Sequence, residues 1–132
     1  MGFPSNQAIQ FRQLHRGPGV LILPNVWDVA SARIFEDAGF PAIATTSAGI
    51  AFSLGYPDGQ RIPREEMIAR IGRIARAVRV PVTADVEAGY DSSPEDAART
   101  TRELIQLGVV GICLLYTSLC LAALGEDFSE GG

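Results

Sequence analysis

Val80-Pro81-Val82-Thr83-Ala84-Asp85-Val86-Glu87-Ala88-Gly89-Tyr90 reads as a short buried strand that ends in two acids. Val80, Val82, Ala84 and Val86 alternate with Pro81, Thr83, Asp85 and Glu87. Residues two apart in a strand share a face, so Asp85 and Glu87 are expected to point the same way. Gly89 then lets the chain turn sharply. Acids at a strand's C-terminal end, beside a glycine turn, suit a hard divalent cation, because Mg2+ takes oxygen ligands and keeps several waters. An acidic loop with nothing bound is the competing reading.

On both sides of this stretch the pattern alternates between helix and strand. Upstream, Pro63 opens a helix to about Val78, with Glu65 and Glu66 in its first turn. Met67, Ile68, Ile71, Ile74, Ala75 and Val78 form its apolar stripe, with Arg70, Arg73 and Arg76 on the solvated side. Downstream, Ser93 caps a helix that begins at Pro94 and turns Ala97, Ala98, Thr101, Leu104 and Ile105 inward. Gly108 closes that helix, and Val109 to Leu114 is the next strand. Nearer the N-terminus, Gln7 to His15 forms a helix capped by Ser5 or Asn6. His15, the sole histidine, reads as a solvated helix-end residue. Val20 to Leu23 is the first strand. Asp28 caps a helix through Ala38, with Ala30, Ile34 and Ala38 on one face and Gly39 at its end. Ala42 to Thr45 is the second strand, and a loop through Gln60 follows. Within it, Thr46-Ser47-Ala48-Gly49 lets backbone N–H groups approach an anion, and Pro57-Asp58-Gly59 has turn chemistry. Helices alternating with buried strands predict a parallel α/β sheet. Trp27, Ser47, Asp85 and Glu87 all follow strands, where α/β barrels and open α/β sheets both place their sites.

Composition bounds the function. The 132 residues suit one domain, and 47% are hydrophobic, enough for a core. The net charge of −4 and the scattered basic residues argue against a nucleic-acid partner. Cys113 and Cys120 lie in apolar runs with no metal-ligand or redox spacing, which points to buried free thiols in a reducing compartment. The run from Val109 to Leu124 is interrupted and short of the ~20 residues of a membrane span. No apolar signal core begins the sequence. A cytoplasmic protein without a membrane partner is expected.

Four motifs occur in order: Pro24-Asn25-Val26-Trp27-Asp28, Thr46-Ser47-Ala48-Gly49, Leu54-Gly55-Tyr56-Pro57-Asp58 and Ala84-Asp85-Val86-Glu87-Ala88-Gly89-Tyr90. Together they resemble the isocitrate lyase/phosphoenolpyruvate mutase superfamily over about Phe11 to Ile112. The resemblance implies a TIM-type (β/α)8 barrel with an N-terminal helix. It also implies Mg2+, with Mn2+ as the alternative ion, and a small 2-oxo or 2-hydroxy carboxylate whose C–C or P–C bond is cleaved or formed. By this resemblance Ser47, Ala48 and Gly49 hold the substrate's carboxylate or carbonyl, and Trp27 and Asp28 lie at the pocket wall. Asp85 is the principal acid at the metal, Glu87 holds it directly or through water, and Asp58 stands in its outer shell. Full-length relatives are expected to be homo-oligomers.

The chain also departs from the family pattern. Many members carry Asp at the position of Glu87. The further acid expected after the fourth strand is replaced by Cys113-Leu114-Leu115-Tyr116, and Cys120 lacks the neighbours of the lyases' catalytic loop. A full barrel needs ~250 residues. Residues 1–114 therefore read as the N-terminal half of a barrel, and 115–132 as a tail unrelated to it. Open sheet edges favour association or a loosened state, and no turnover by the chain alone. A non-enzymatic small α/β interaction domain is the alternative.

Overall fold

The computed structural model describes residues 6–90 and 93–114. Its elements are α1 (Asn6–Leu14), β1 (Asn25–Val26), α2 (Val29–Asp37), β2 (Ile43–Thr45), α3 (Ser47–Ser53), α4 (Arg64–Ala77), β3 (Val82–Asp85), α5 (Pro94–Gln106) and β4 (Gly111–Cys113). The tail, Cys120 and the Ser5 cap lie outside the described residues.

All three strand pairings are parallel, and the sheet order is β1-β2-β3-β4. Every crossover therefore steps in the same direction. An open doubly wound sheet needs a reversal of strand order to cover both faces, and these four strands contain none. The order is that of a barrel wall, with α2, α4 and α5 packed side by side.

Local chemistry explains most of the helices. The Asp28 carboxylate accepts the Ser31 N–H at 2.7 Å and caps α2, which Gly39 terminates at φ +89°. Ser93 Oγ accepts the Asp96 N–H and caps α5. The α4 stripe is buried as expected, through Met67, Ile68, Ile71 and Ile74 to Val78. Gly72 sits mid-helix because α5 crosses close by: a Cβ there would lie 3.0 Å from Leu107 Cδ1. These residues join Val26, Ile43, Val82, Ala84, Val86 and Leu104 in one core. On the other side of the sheet, the Phe11 ring of α1 comes so close to Gly111 and Thr83 that a Cβ on Gly111 would sit 2.8 Å from Phe11 Cε1. Gln7 Nε2 donates to the Arg79 carbonyl at 2.7 Å and anchors the same helix. His15 is exposed at the end of α1 and stacks edge-on with Phe11.

Several elements differ from expectation. The first strand is Asn25–Val26, not Val20 to Leu23, because β2 offers ladder partners only from Asn25 onward. Val20 and Ile22 are left 92% and 63% exposed at the sheet's edge. The inner face of α2 is Ser31, Ala32 and Phe35 rather than Ala30, Ile34 and Ala38. Packing against α4, β1 and β2 rotates it that way and leaves Ile34 outward. On α5, Thr100 and Leu104 are buried while Ile105 faces solvent. Residues 47–53, expected as loop, form α3. Among the described residues no helix is long and apolar enough to cross a membrane.

Candidate functional site

The C-terminal ends of β2 and β3 open onto a cavity of about 410 Å³ lined by Asn25, Thr46, Ser47, Ala48, Asp58, Gly59, Asp85 and Glu87. β1 delivers Asn25 and β3 delivers Asp85, while Thr46 follows directly on β2. The first turn of α3 delivers Ser47 and Ala48, and the turn after α3 delivers Asp58 and Gly59.

Asp85 is the hub. Its Oδ2 accepts the Ser47 hydroxyl at 2.7 Å and the Ser47 N–H at 3.1 Å. Its Oδ1 accepts the Glu87 N–H at 3.0 Å, and its own N–H donates to the buried Thr45 hydroxyl at 3.1 Å. The acid is thereby clamped to both β2 and α3. Ser47 begins α3, and Thr46 caps it by accepting the Gly49 N–H at 3.3 Å. First-turn N–H groups have no partner within their helix. Those of Ser47 and Gly49 are engaged, and Ala48, the residue between them, lines the cavity.

Glu87 is not part of the strand. It has φ +52° and is 4% exposed, so strand alternation no longer sets its direction. It still reaches the cavity because its backbone folds back onto Asp85. Tyr90 at φ +68° and Gln60 at φ +56° also occupy the left-handed region, and both flank the Glu87 carboxylate. Such backbone costs about 1–3 kcal/mol per residue and persists only where the surroundings hold it. Burial is the main force pushing the Glu87 carboxyl above its ordinary range. The Gln60 backbone opposes that shift, the charges of Asp58 and Asp85 add to it, and the Tyr90 phenol opposes it. Burial first, then the Glu87 charge, pushes the Tyr90 phenol well above its usual range. Glu87 Oε1 and the Tyr90 hydroxyl are both buried, and although the two groups lie near enough to affect each other's ionisation they do not meet in hydrogen-bond geometry.

These features bear on a cation. Asp58, Asp85 and Glu87 face one cavity, and Glu87 Oε1 is a desolvated acceptor with nothing to accept. Among the described residues no group of three or more acids, histidines or cysteines is arranged to hold a metal ion. Mg2+ is ordinarily held by one or two carboxylates and several waters. Asp85 and Glu87 fit that description, and Asp58 lines the same cavity. Cys113 pairs in register with Asp85 on the next strand and brings a thiol, not a further acid; at the end of β4 it is exposed rather than buried as its apolar run suggests.

Other expected residues lie off the cavity lining. Trp27 is 41% exposed and packs at the start of α3, where a Cβ on Gly49 would lie 3.1 Å from Trp27 Cβ. Asp28 is committed to its capping box and does not reach the cavity wall. Asn25, Thr46 and Tyr90 were not singled out from sequence as site residues, although each lies within one of the four motifs.

A family model described as phosphoenolpyruvate phosphomutase matches residues 11–115. The 2-methylisocitrate lyase of Bacillus subtilis strain 168 is 32% identical over 105 residues, which is 80% of this chain and 35% of that protein. A Burkholderia cenocepacia J2315 structure, provisionally assigned as a phosphonomutase, superposes with a TM-score of 0.80 at 44% identity, over 83% of this chain and 45% of that one. Oxaloacetate acetylhydrolase in complex with its product oxalate gives a TM-score of 0.75 at 32% identity, over 84% of this chain and 38% of that one. The chain spans between about a third and a little under half of these relatives' length.

Proposed function

The chain belongs to the phosphoenolpyruvate phosphomutase/isocitrate lyase superfamily, and from that premise we propose that it carries the metal- and carboxylate-binding half of a site that cleaves or forms a C–C or P–C bond. Its four parallel strands correspond to part of the barrel of those relatives. The substrate class is a small 2-oxo or 2-hydroxy carboxylate. The observation that carries this reading is the meeting of Ser47, Ala48, Asp58, Asp85 and Glu87 around one cavity at the strand ends.

Asp85 and Glu87 are the residues that would hold Mg2+, or Mn2+, with Asp58 in its outer shell. Bond cleavage beside a carbonyl carbon leaves an enolate, and a bound divalent ion supplies the charge that stabilises it. The protein's part is to orient the reactant. The Ala48 N–H and the Ser47 hydroxyl sit where a carboxylate or carbonyl oxygen would lie beside the metal acids. Ser47 donates to Asp85 in the ligand-free chain. An arriving carboxylate competes for that donor, so cation binding at Asp85 and anion binding at Ser47 are linked. Gly49 serves from behind: it gives Thr46 and Trp27 room to pack and so sets the start of α3.

The chain alone is proposed not to turn substrate over, because the further acid and the catalytic loop of the lyases are not supplied by residues 6–114. Its binding function is testable without turnover. Calorimetric titration with oxalate, the product bound to the similar oxaloacetate acetylhydrolase, should give heat with Mg2+ present and none with a strong chelator. Asp85→Ala should abolish the signal. Oxalate binding that is equal with and without Mg2+ would defeat the proposal.

A further inference from the structure

Behind the acids lies a second buried polar group that the binding scheme above does not use. Tyr90 follows Glu87 by three residues, in a turn closed by the Gly89 N–H donating to the Val86 carbonyl at 2.8 Å. Its hydroxyl is buried and unpartnered, as is Glu87 Oε1, and the two side chains interact. An unsatisfied buried polar group costs about 1–3 kcal/mol. Two of them side by side, donor and acceptor, imply an arrangement in which they satisfy each other.

The turn is also held from outside. Arg64 Nε at the start of α4 donates to Thr100 Oγ1 at 2.9 Å, and the Thr100 hydroxyl faces the Gly89 carbonyl at 3.5 Å. Thr100 is 2% exposed, and Arg64 also pairs with Glu103 at 3.0 Å. The left-handed backbone at Glu87 and Tyr90 is thus braced by two helices. Bracing of this kind fixes the phenol against the carboxylate instead of releasing it to solvent.

We propose that Tyr90 is a positioning residue, whose hydroxyl donates to Glu87 Oε1 when a divalent cation is seated and so turns the other carboxylate oxygen toward the cavity. A phenol suits the task because it is a neutral donor at physiological pH, and a rigid ring fixes where that donor sits. Partners that orient a ligating carboxylate typically change metal affinity by about 10–100-fold when removed. The inference rests on the cation reading of Asp85 and Glu87.

The test is Mn2+ titration of the full chain, followed by water-proton relaxation, for the wild type, Asp85→Asn, Tyr90→Phe, Glu87→Gln and the Glu87→Gln/Tyr90→Phe double variant. Wild type should bind Mn2+, and Asp85→Asn should not. Tyr90→Phe keeps the ring and should weaken binding about tenfold or more. Its metal-free melting temperature should be equal to or above that of wild type, because an orphan hydroxyl has gone. In the Glu87→Gln background Tyr90→Phe should change affinity no further. Mn2+ binding by the wild type with Tyr90→Phe unchanged overturns the role of Tyr90 and leaves the cation reading standing. An equal loss from Tyr90→Phe in both backgrounds marks a merely structural effect and also overturns it. Absence of Mn2+ binding by the wild type overturns both.

Discussion

Ser47→Ala probes the joint between the two halves of the site. The hydroxyl donates to Asp85 Oδ2 at 2.7 Å, and Ser47 is 4% exposed. Hydrogen bonds to charged groups contribute about 1.5–3 kcal/mol. Two effects reduce the loss. The Ser47 N–H still donates to the same oxygen at 3.1 Å, so Asp85 is not orphaned. Alanine is also the better helix former, by about 0.5 kcal/mol. The expected net loss is about 1–2 kcal/mol. Urea unfolding should show it as a lower midpoint with an unchanged slope; at a typical slope of about 1–3 kcal/mol per molar, the midpoint falls by roughly 0.3–2 M. The same substitution in an Asp85→Asn background should be less costly, because its partner has lost its charge. An unchanged or raised midpoint, or an equal loss in both backgrounds, would refute the claim that Ser47 acts through Asp85.

Gly49→Ala should destabilise, although alanine favours helix by about 1 kcal/mol. The new Cβ would lie 2.6 Å from Thr46 Cγ2 and 3.1 Å from Trp27 Cβ, and overpacking costs about 1–3 kcal/mol. A lower melting temperature with a shift in the fluorescence of the sole tryptophan checks it. Glu87→Gln should stabilise the metal-free chain at neutral pH. The folded pKa of Glu87 is raised, so between its unfolded and folded values the native state holds the extra proton. The stability contributed by that protonation is complete below the unfolded pKa and lost as pH rises through the folded one. The melting-temperature advantage of Glu87→Gln should therefore shrink on going from about pH 8 to about pH 4, and an advantage independent of pH would count against it. Ile22→Lys, on an edge residue 63% exposed, should reduce concentration-dependent self-association in sedimentation velocity. Unaltered association would show that this edge is not where copies meet.

The features legible in sequence are those fixed within a few residues. The Asp28 and Ser93 caps, the Pro63 start and the α4 stripe need only their own neighbours. The meeting of Ser47, Asp85 and Glu87 is foreseeable because parallel strands bring their C-terminal ends together, whereas Ala48 and Asp58 join them only through the family resemblance. What escaped depends on partners distant in sequence. The length of β1 is decided by where β2 begins. Ile34 and Ile105 face outward because of how α2 and α5 meet α4, and periodicity gives a helix's stripe but not its final rotation. The short α3 looked like loop, since Ser47-Ala48-Gly49-Ile50 has little helical pattern; Thr46 and an acid 38 residues away hold its start. Glu87 was read as the next strand residue, yet its positive φ takes it out of the ladder. Tyr90 carried one signal, an aromatic residue beside the acidic turn, which has no chemical meaning until its hydroxyl is found buried against Glu87.

The central claim is that the acids of the β3 turn and the first turn of α3 form one cation site. Paramagnetic broadening by substoichiometric Mn2+ in the amide spectrum of the isotope-labelled chain tests it most directly. Selective loss of the signals of residues 46–49, 58–60 and 85–90 is expected, with Asp85→Asn restoring them. Broadening that instead falls on the acidic residues of 126–130, or spreads evenly over the chain, would contradict it.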